Sequence, residues 1–430
     1  MLQPLGYGHE IEYGSDTFDG RMSWALPNRP SLVTNELLNN EFMGFGVSKG
    51  NFSPTVNLSF DYPGSIKSNA TTFTNASIIT SNHSSGGGYS GGLVGPDNLI
   101  YFIPNSGGAY YICQWNPFTN TFKEVGVSMS AYPTLGAVMH PNGNIYMFPF
   151  QSGTRVWVFN VYNQQHTYLS TSYPNSNGCY GAVVDQYGMI WTGMYGFLAT
   201  GNPVKYNPYT NTFTNYSTVG QNAYGPPILM PNGKIAWFPY SITNTADYVI
   251  TDPTTGISIA YTIPSNLIAT YGGGGTGYNF TFSGGVVAPN GKVYLIPTAS
   301  CPYACEYDPG TNTLKPFGSL LTLNGRFGSG ALGPDGYIYA PPIGTNYTGM
   351  LKIDWGALQI SVSPNPLGGS STFSGIANNY YNGAILHETG MYFAPSSFYS
   401  NGAMVMRLKF DNLKTSYNSS LCREVNHFWK

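Results

Sequence analysis

Short apolar runs alternate with polar punctuation along most of this chain, and they do so in a fixed order. Val286-Val287-Ala288 is followed by Pro289-Asn290-Gly291, then by Lys292 to Ile296, and then by a proline. Runs of this length, rich in Val, Ile, Tyr and Phe and bounded by Gly, Pro, Asn and Asp, predict β-strands joined by turns. The Asn-Gly pair is expected to supply the positive φ of a tight hairpin turn.

The unit recurs, and a recurring unit is read before any single element. Its copies are Pro96-Asp97-Asn98, Pro141-Asn142-Gly143, Gln186-Tyr187-Gly188, Pro231-Asn232-Gly233, Pro289-Asn290-Gly291, Pro334-Asp335-Gly336 and a worn His387-Glu388-Thr389-Gly390. The starts fall at 96, 141, 186, 231, 289, 334 and 387, so four of the six spacings are 45 residues. The strand after each turn usually stops at a proline: Pro104, Pro149, Pro239, Pro297, Pro342 or Pro395. A third strand then ends in Asn116-Pro117-Phe118-Thr119-Asn120-Thr121, Asn207-Pro208-Tyr209-Thr210-Asn211-Thr212 or Asp308-Pro309-Gly310-Thr311-Asn312-Thr313, and a fourth strand begins there. Four antiparallel strands per repeat predict an all-β fold, a seven-bladed β-propeller of four-stranded antiparallel blades. An eighth, eroded blade is the alternative.

The strand, Gly turn, Ile-Tyr strand and Tyr-Asp-Pro-x-Thr-Asn-Thr order resembles Kelch-type propellers, including the galactose-oxidase-like group, over about residues 90 to 415. The sequence departs from Kelch where an apolar-Pro ending replaces the usual Gly-Gly. A Pro-Asp-Gly-x-Ile-Trp/Tyr repeat also occurs in lyase and lactonase propellers, so the subfamily stays open. The resemblance implies an architecture and no particular activity.

The first 60 residues lie outside the register and hold Glu10, Glu12, Asp16, Asp19, Glu36 and Glu41, with Asp61 just beyond. Residues 1–60 are therefore read as an N-terminal anchoring or assembly segment, 61–415 as the propeller and 416–430 as a C-terminal tail. Thr71-Thr72-Phe73-Thr74-Asn75 looks like the latter half of a repeat. A propeller must close its ring to remove open sheet edges, and this N-terminal extension is expected to help close it by completing the seventh blade.

The two kinds of tight turn must share one face of the disc, leaving the second-to-third-strand loops and the blade links on the other. The loop face varies in length, and variation on a rigid scaffold is where binding usually resides. Tyr195, Phe197, Tyr240, Tyr271, Tyr278, Tyr303, Tyr347 and Tyr399 fall in those loops, and Tyr132, Tyr173 and Tyr224 in the links. Aromatic surfaces among hydroxyl and amide groups suit binding paratopes. They also suit sugars, whose apolar ring faces stack on aromatics. A structural role, covering loops and blade edges, is the alternative for any one of these tyrosines.

Composition narrows the function. Charged side chains make up 8% of the chain and the net charge is −2, which gives no basic field to attract nucleic acid. No uninterrupted apolar run of membrane-spanning length occurs, so membrane insertion is not expected. From Ser68 to Met406 there are 10 acidic and 8 basic residues, with Arg155 and Arg326 the only arginines. An enzyme needs convergent titratable groups, and none is visible, so no catalysis and no cofactor are expected. His387-Glu388 is the one adjacent acid and base pair, but it occupies a tight-turn position. Cys301 and Cys305 form the single close cysteine pair, fit for a zinc half-site, a loop disulfide or neither. Without a second pair at ligand spacing no metal is expected.

Asn-x-Ser/Thr sites occur at Asn51, Asn57, Asn69, Asn75, Asn82, Asn215, Asn279, Asn346 and Asn418, five of them between Asn51 and Asn82. They are glycosylation candidates. The uncharged surface, dense in Tyr, Asn, Ser and Thr, is similar in composition to surface and virion proteins of acid- and heat-loving archaea and their viruses. Hydroxyl and amide hydrogen bonds persist at a pH where ion pairs would be lost. Met1 to Gly20 show no basic segment followed by an apolar one, so no secretory signal is expected there. These readings lead to a non-enzymatic adhesion propeller at a virion or cell surface, recognising glycan or glycoprotein through its loop face. A structural subunit that binds neighbouring proteins of its assembly or copies of itself is the first alternative, and a lyase- or lactonase-type propeller enzyme the second.

Overall fold

The computed structural model describes residues 71–79, 88–105, 111–129, 134–150, 154–175, 178–193, 202–217, 222–241, 247–267, 281–298, 301, 303–319, 321, 326–343, 349–362, 381–395 and 403–410. They form seven four-stranded antiparallel sheets, with one helical turn at 265–267. Blades 1, 2, 3 and 5 run in simple chain order, for example Tyr89–Val94, Ile100–Pro104, Ile112–Asn116 and Thr121–Val125 in blade 1. In blades 4 and 6 the inner hairpin is extended by a two-stranded piece, Ala223–Tyr224 with Pro239–Ser241 and Arg326–Phe327 with Pro342–Ile343. Blade 7 is composite. Thr71–Ile79 supplies its outer strand, pairing with Ala403–Phe410, which pairs with Gly390–Pro395 and through it with Tyr381–His387. The ring is thus closed by a strand from the N-terminal side of the repeats, as the stretch from Thr71 to Asn75 predicts.

The strand types differ because their surroundings differ. Second strands are buried on both faces: every residue of Ile100–Pro104 and of Val293–Pro297 is buried, since each blade is covered by a neighbour on either side. Fourth strands stand at the rim, and Thr121–Val125 and Thr313–Phe317 are largely exposed. Seven apolar clusters fill the seven gaps between blades. The one that unites Tyr89, Phe102 and Trp115 of blade 1 with Ile385, Tyr392 and Val405 of blade 7 leaves no place for an eighth blade.

At the axis the inner strands approach backbone to backbone. A Cβ on Gly136 would fall on Gly181 of the next blade, one on Gly181 would meet Pro226 at 2.8 Å, and one on Gly383 would meet Gly91 Cα at 3.4 Å. Positions 91, 136, 181 and 226 repeat at the same 45-residue spacing, which is why small residues precede each apolar strand.

The first tight turn differs from the expected one in detail. Gly143 has φ 83° and Gly291 φ 77°, whereas Asn142 and Asn290 do not take positive φ. The Gly143 amide donates to His140 O and the His140 amide to Asn144 O, at 3.0 and 2.9 Å. This is a three-residue loop with a single left-handed residue at its end. The Asn or Asp side chain is spent on another task, a bond to the aromatic residue of the second strand. Asp97 accepts from Tyr101 Oη at 2.7 Å, Asn290 donates to Tyr294 Oη at 2.7 Å and Asp335 accepts from Tyr339 Oη at 2.6 Å; in blade 3, where Tyr187 takes that position, Asp185 two residues earlier accepts from Trp191 Nε1 at 2.7 Å instead. The Ile-Tyr motif is therefore half core and half polar staple.

The second turn is held by its first residue. Asn116 accepts from the Phe118 and Thr119 amides, and Asn160, Asn207, Asp252, Asp308 and Asp354 do the same in blades 2 to 6. The turn closes in the left-handed region at Asn120, Gln164, Asn211, Gly256, Asn312 and Leu358. Tyr206 and Tyr307 each donate to that asparagine, at 3.0 and 2.8 Å.

Candidate functional site

Hairpin topology puts both tight turns of blades 1 to 6, and the single tight turn of blade 7, on one face and the long connections on the other. At the loop-face ends of the strands Trp157 meets Tyr168 and Tyr248 stacks on Tyr261, each pair within its own blade, and a further half-buried pair joins neighbouring blades. Tyr180, just before the inner strand of blade 3, stacks on Tyr240, at the end of the second strand of blade 4, with ring centroids 5.0 Å apart and planes 25° from parallel. Both are half-buried. Close chain approach shapes the place, since a Cβ on Gly193 would strike the Tyr180 carbonyl oxygen and lie 3.3 Å from the Gly225 carbonyl oxygen. Tyr240 lies in the expected set. Tyr180 does not, because it sits in a link with no loop-length signal, and only the stacking of blades 3 and 4 reveals it.

In the same blade the Asp247 carboxylate is buried and accepts hydrogen bonds from Asn222 Nδ2 at 2.5 Å and from Tyr224 Oη. Burial, with Asp247 beside it, pushes the Tyr224 phenol far above its usual value, so it stays protonated and donates. Tyr224 is fully buried, as is Tyr173, whose hydroxyl lies 2.7 Å from Thr192 Oγ1. These two link tyrosines are core residues and not part of an exposed surface. Tyr303 is half-buried beside the second-to-third-strand loop of blade 5. Tyr132, Tyr195, Phe197, Tyr271, Tyr278, Tyr347 and Tyr399 lie outside the described residues.

The cysteine pair is not bridged. Cys301 and Cys305 are free thiols buried in the core between blades 4 and 5, and Cys301 Sγ donates to the Tyr303 carbonyl at 3.2 Å. Burial pushes the Cys301 thiol up to about 12 and Cys305 well above its usual value. Of the glycosylation candidates, Asn215 is exposed at the end of an outer strand, and Asn75 lies in the ring-closing strand opposite Met406. Asn51, Asn57, Asn69, Asn82, Asn279, Asn346 and Asn418 lie outside the described residues, as do the segments 1–60 and 416–430.

The titratable groups are drawn into the scaffold. Nine of the ten acidic side chains from Ser68 to Met406, at Asp97, Asp185, Asp247, Asp252, Glu306, Asp308, Asp335, Asp354 and Glu388, accept hydrogen bonds within turns or between strands. Glu306 also pairs with Lys292 at 2.8 Å. The His387-Glu388 pair spans the junction of blades 7 and 1: His387 Nε2 lies 3.2 Å from Asn98 O, and Glu388 accepts from Asn98 Nδ2 at 2.6 Å. His140 makes the like contact from blade 2 to Gly188 O of blade 3 at 3.0 Å. Among the described residues, no group of three or more His, Cys, Asp and Glu is placed to hold a metal ion.

No family model matches the chain, and no curated protein matches it in sequence. Solved structures match it in shape. Virginiamycin B lyase from Staphylococcus aureus superposes with a TM-score of 0.59 at 10% identity, over 79% of this chain and 99% of that one. The extracellular domain of a putative one-component system from B. thetaiotaomicron superposes with a TM-score of 0.56 at 13% identity, over 78% of this chain and 40% of that one. At such identities the likeness shows the propeller fold alone.

Proposed function

We propose that this protein is a non-enzymatic, extracellular binding propeller that recognises glycan or glycoprotein through its loop face. The observation that carries the reading is the fate of the carboxylates. Those committed to hydrogen bonds lie mostly in the tight turns, and Asp247, the one at the loop-face end of a strand, is buried and bonded to Asn222 and Tyr224. What the loop face presents instead is aromatic and poor in charge, with the Tyr180–Tyr240 stack as its described example and Arg155, set over the Tyr168 ring, among its few charged groups. Such a surface binds sugar rings by stacking and hydrogen bonding and has little with which to move protons.

An extracellular place fits the charge-poor exterior, the exposed Asn215 sequon and the likeness to the extracellular domain of a putative one-component system. No helix among the described residues is long and apolar enough to cross a membrane. The Kelch-type resemblance and the compositional resemblance to archaeal surface and virion proteins belong to this same reading, with the N-terminal residues attaching the propeller to its assembly.

The test is a glycan array and a whole-cell binding assay at acidic and neutral pH, with the parent and a Tyr180→Ser/Tyr195→Ser/Tyr240→Ser/Tyr347→Ser variant. Saturable binding that the variant loses is the expected result. Binding that survives refutes the loop face as the site, and self-assembly into particles or filaments without binding moves the reading to a structural subunit.

A further inference from the structure

The turn face carries a feature that the loop-face reading does not use. Thr71 pairs with Phe410 and Ile79 with Ala403. Ala403–Phe410 is the third strand of blade 7 and runs from the loop face toward the turn face, so Thr71 and Phe410 both stand at the turn face. Where blades 1 to 6 join their third and fourth strands by a tight turn, blade 7 has two chain connections instead, and residues 1–70 therefore join the fold at this face.

Beside that junction the turn face is aromatic. The third residue of the second tight turn is Phe118, Tyr162 and Tyr209 in blades 1, 2 and 3, exposed by 55%, 60% and 38%. In blades 4, 5 and 6 the same position holds Thr254, Gly310 and Gly356. Phe118 lies edge-on to His387 of blade 7 with centroids 5.4 Å apart, and Tyr209 lies edge-on to His140 of blade 2 at 5.7 Å. Phe118 and Tyr209 thus bridge neighbouring turns, the Tyr162 ring lies over Gly143 of its own blade, and the three rings stand exposed as an arc on successive blades leading away from blade 7. Large exposed aromatics on three successive blades mark a contact surface.

The sequence that reaches this arc has a matching pattern. From Phe52 to Tyr62 the even positions Phe52, Pro54, Val56, Leu58, Phe60 and Tyr62 are apolar and the odd positions Ser53, Thr55, Asn57, Ser59 and Asp61 polar, with Pro54 confining any regular strand to the stretch from Thr55 onward or to a sheet edge. This is the period of a strand with one apolar face. Eight residues separate Tyr62 from Thr71, a reach of up to roughly 26 Å, which carries the segment from blade 7 over blades 1 and 2. We propose that residues 52–62 dock their apolar face on the arc of Phe118, Tyr162 and Tyr209, covering the turn face with the chain's own N-terminal segment. The polar positions, among them the Asn57 sequon, then point away from the propeller.

Hydrogen–deuterium exchange on the full chain tests this. Peptides covering 52–62 are expected to be protected in the parent and to exchange about tenfold faster or more in a Phe118→Ser/Tyr162→Ser/Tyr209→Ser variant, while Ile100–Pro104 remains unchanged in both. A Leu58→Ser/Phe60→Ser variant, altered only in the segment, is expected to lose the same protection. Free-peptide exchange of 52–62 in the parent, or protection untouched by either variant, overturns the proposal. Protection that falls on dilution together with a doubled mass in light scattering also overturns it, and assigns the arc to a second copy of the chain.

Discussion

Replacing Gly136 by alanine probes the backbone contact at the propeller axis. A Cβ there would fall on Gly181 Cα, 2.5 Å from its N and 3.1 Å from its C. All three are main-chain atoms of the next blade's inner strand, so no side chain can turn aside and blades 2 and 3 must separate. Gly136 does not sit at positive φ, so the substitution adds no dihedral strain. Overpacking of this kind costs about 3 kcal/mol, near the upper end for one added methyl. Gly291 is the control: its φ is 77° and nothing lies within 4 Å of an added Cβ. Alanine there costs only the left-handed penalty, ~1–2 kcal/mol. At ~2.1 cal/mol/K of unfolding entropy per residue over roughly 320 residues, 1 kcal/mol moves Tm by about 1.5 °C. Scanning calorimetry should therefore find Tm lowered by about 4–5 °C in Gly136→Ala and about 2 °C in Gly291→Ala. A Gly136→Ala protein that melts within about 1 °C of the parent, or above Gly291→Ala, refutes the account of the axis.

Four further outcomes are expected. Asn98→Gly keeps the left-handed turn but removes the amide that meets Glu388, and a double-mutant cycle with Glu388→Ala should give a coupling of ~0.5–1.5 kcal/mol across the blade 7–blade 1 junction; additive losses would remove its role in ring closure. Truncation before residue 62 should leave cooperative unfolding intact, whereas truncation through Ile79 deletes the ring-closing strand and should abolish it; an intact transition in the second truncation refutes the closure. Burial holds His166 at about 4 against 6.5 when unfolded, so the unfolded chain takes up a proton first and stability is lost as pH falls from 6.5 toward 4. Burial raises Asp185 and Asp335 above 3.8, which acts in the opposite sense, their contribution being complete at low pH and lost as pH rises through the raised values. His166→Asn should accordingly flatten the fall of Tm across that range, and an unchanged slope would show that His166 does not carry it. The thiols of Cys113, Cys179, Cys301 and Cys305 are buried with raised values, so a thiol reagent at pH 8 should label them only after unfolding; rapid labelling of the native protein contradicts their burial.

The architecture was legible in the chain alone. A 45-residue repeat of apolar runs and turn residues can be satisfied by stacking blades around an axis, so blade number, strand order and ring closure near Thr71 follow from periodicity. Local chemistry was legible too, since Asn116, Asp308 and Gly143 act on neighbours a few residues away. The Gly143 turn, for one, is closed by its own amide on His140 O, three residues back.

What depends on neighbouring blades came into view with the packed ring. Tyr173 and Tyr224 read as link tyrosines open to a ligand, yet the packing of adjacent sheets buries both. Tyr180 carries no signal in its own stretch of chain and gains a partner only because blade 4 brings Tyr240 beside it. The His387-Glu388 pair looks like an acid and base at a turn, and it becomes a latch because Asn98, 289 residues away for His387, is the first turn of the adjoining blade. The physical reason is common to all three. Periodicity is a property of one strand and its neighbours in the chain, whereas burial and partner choice are set by what the ring places on the other side.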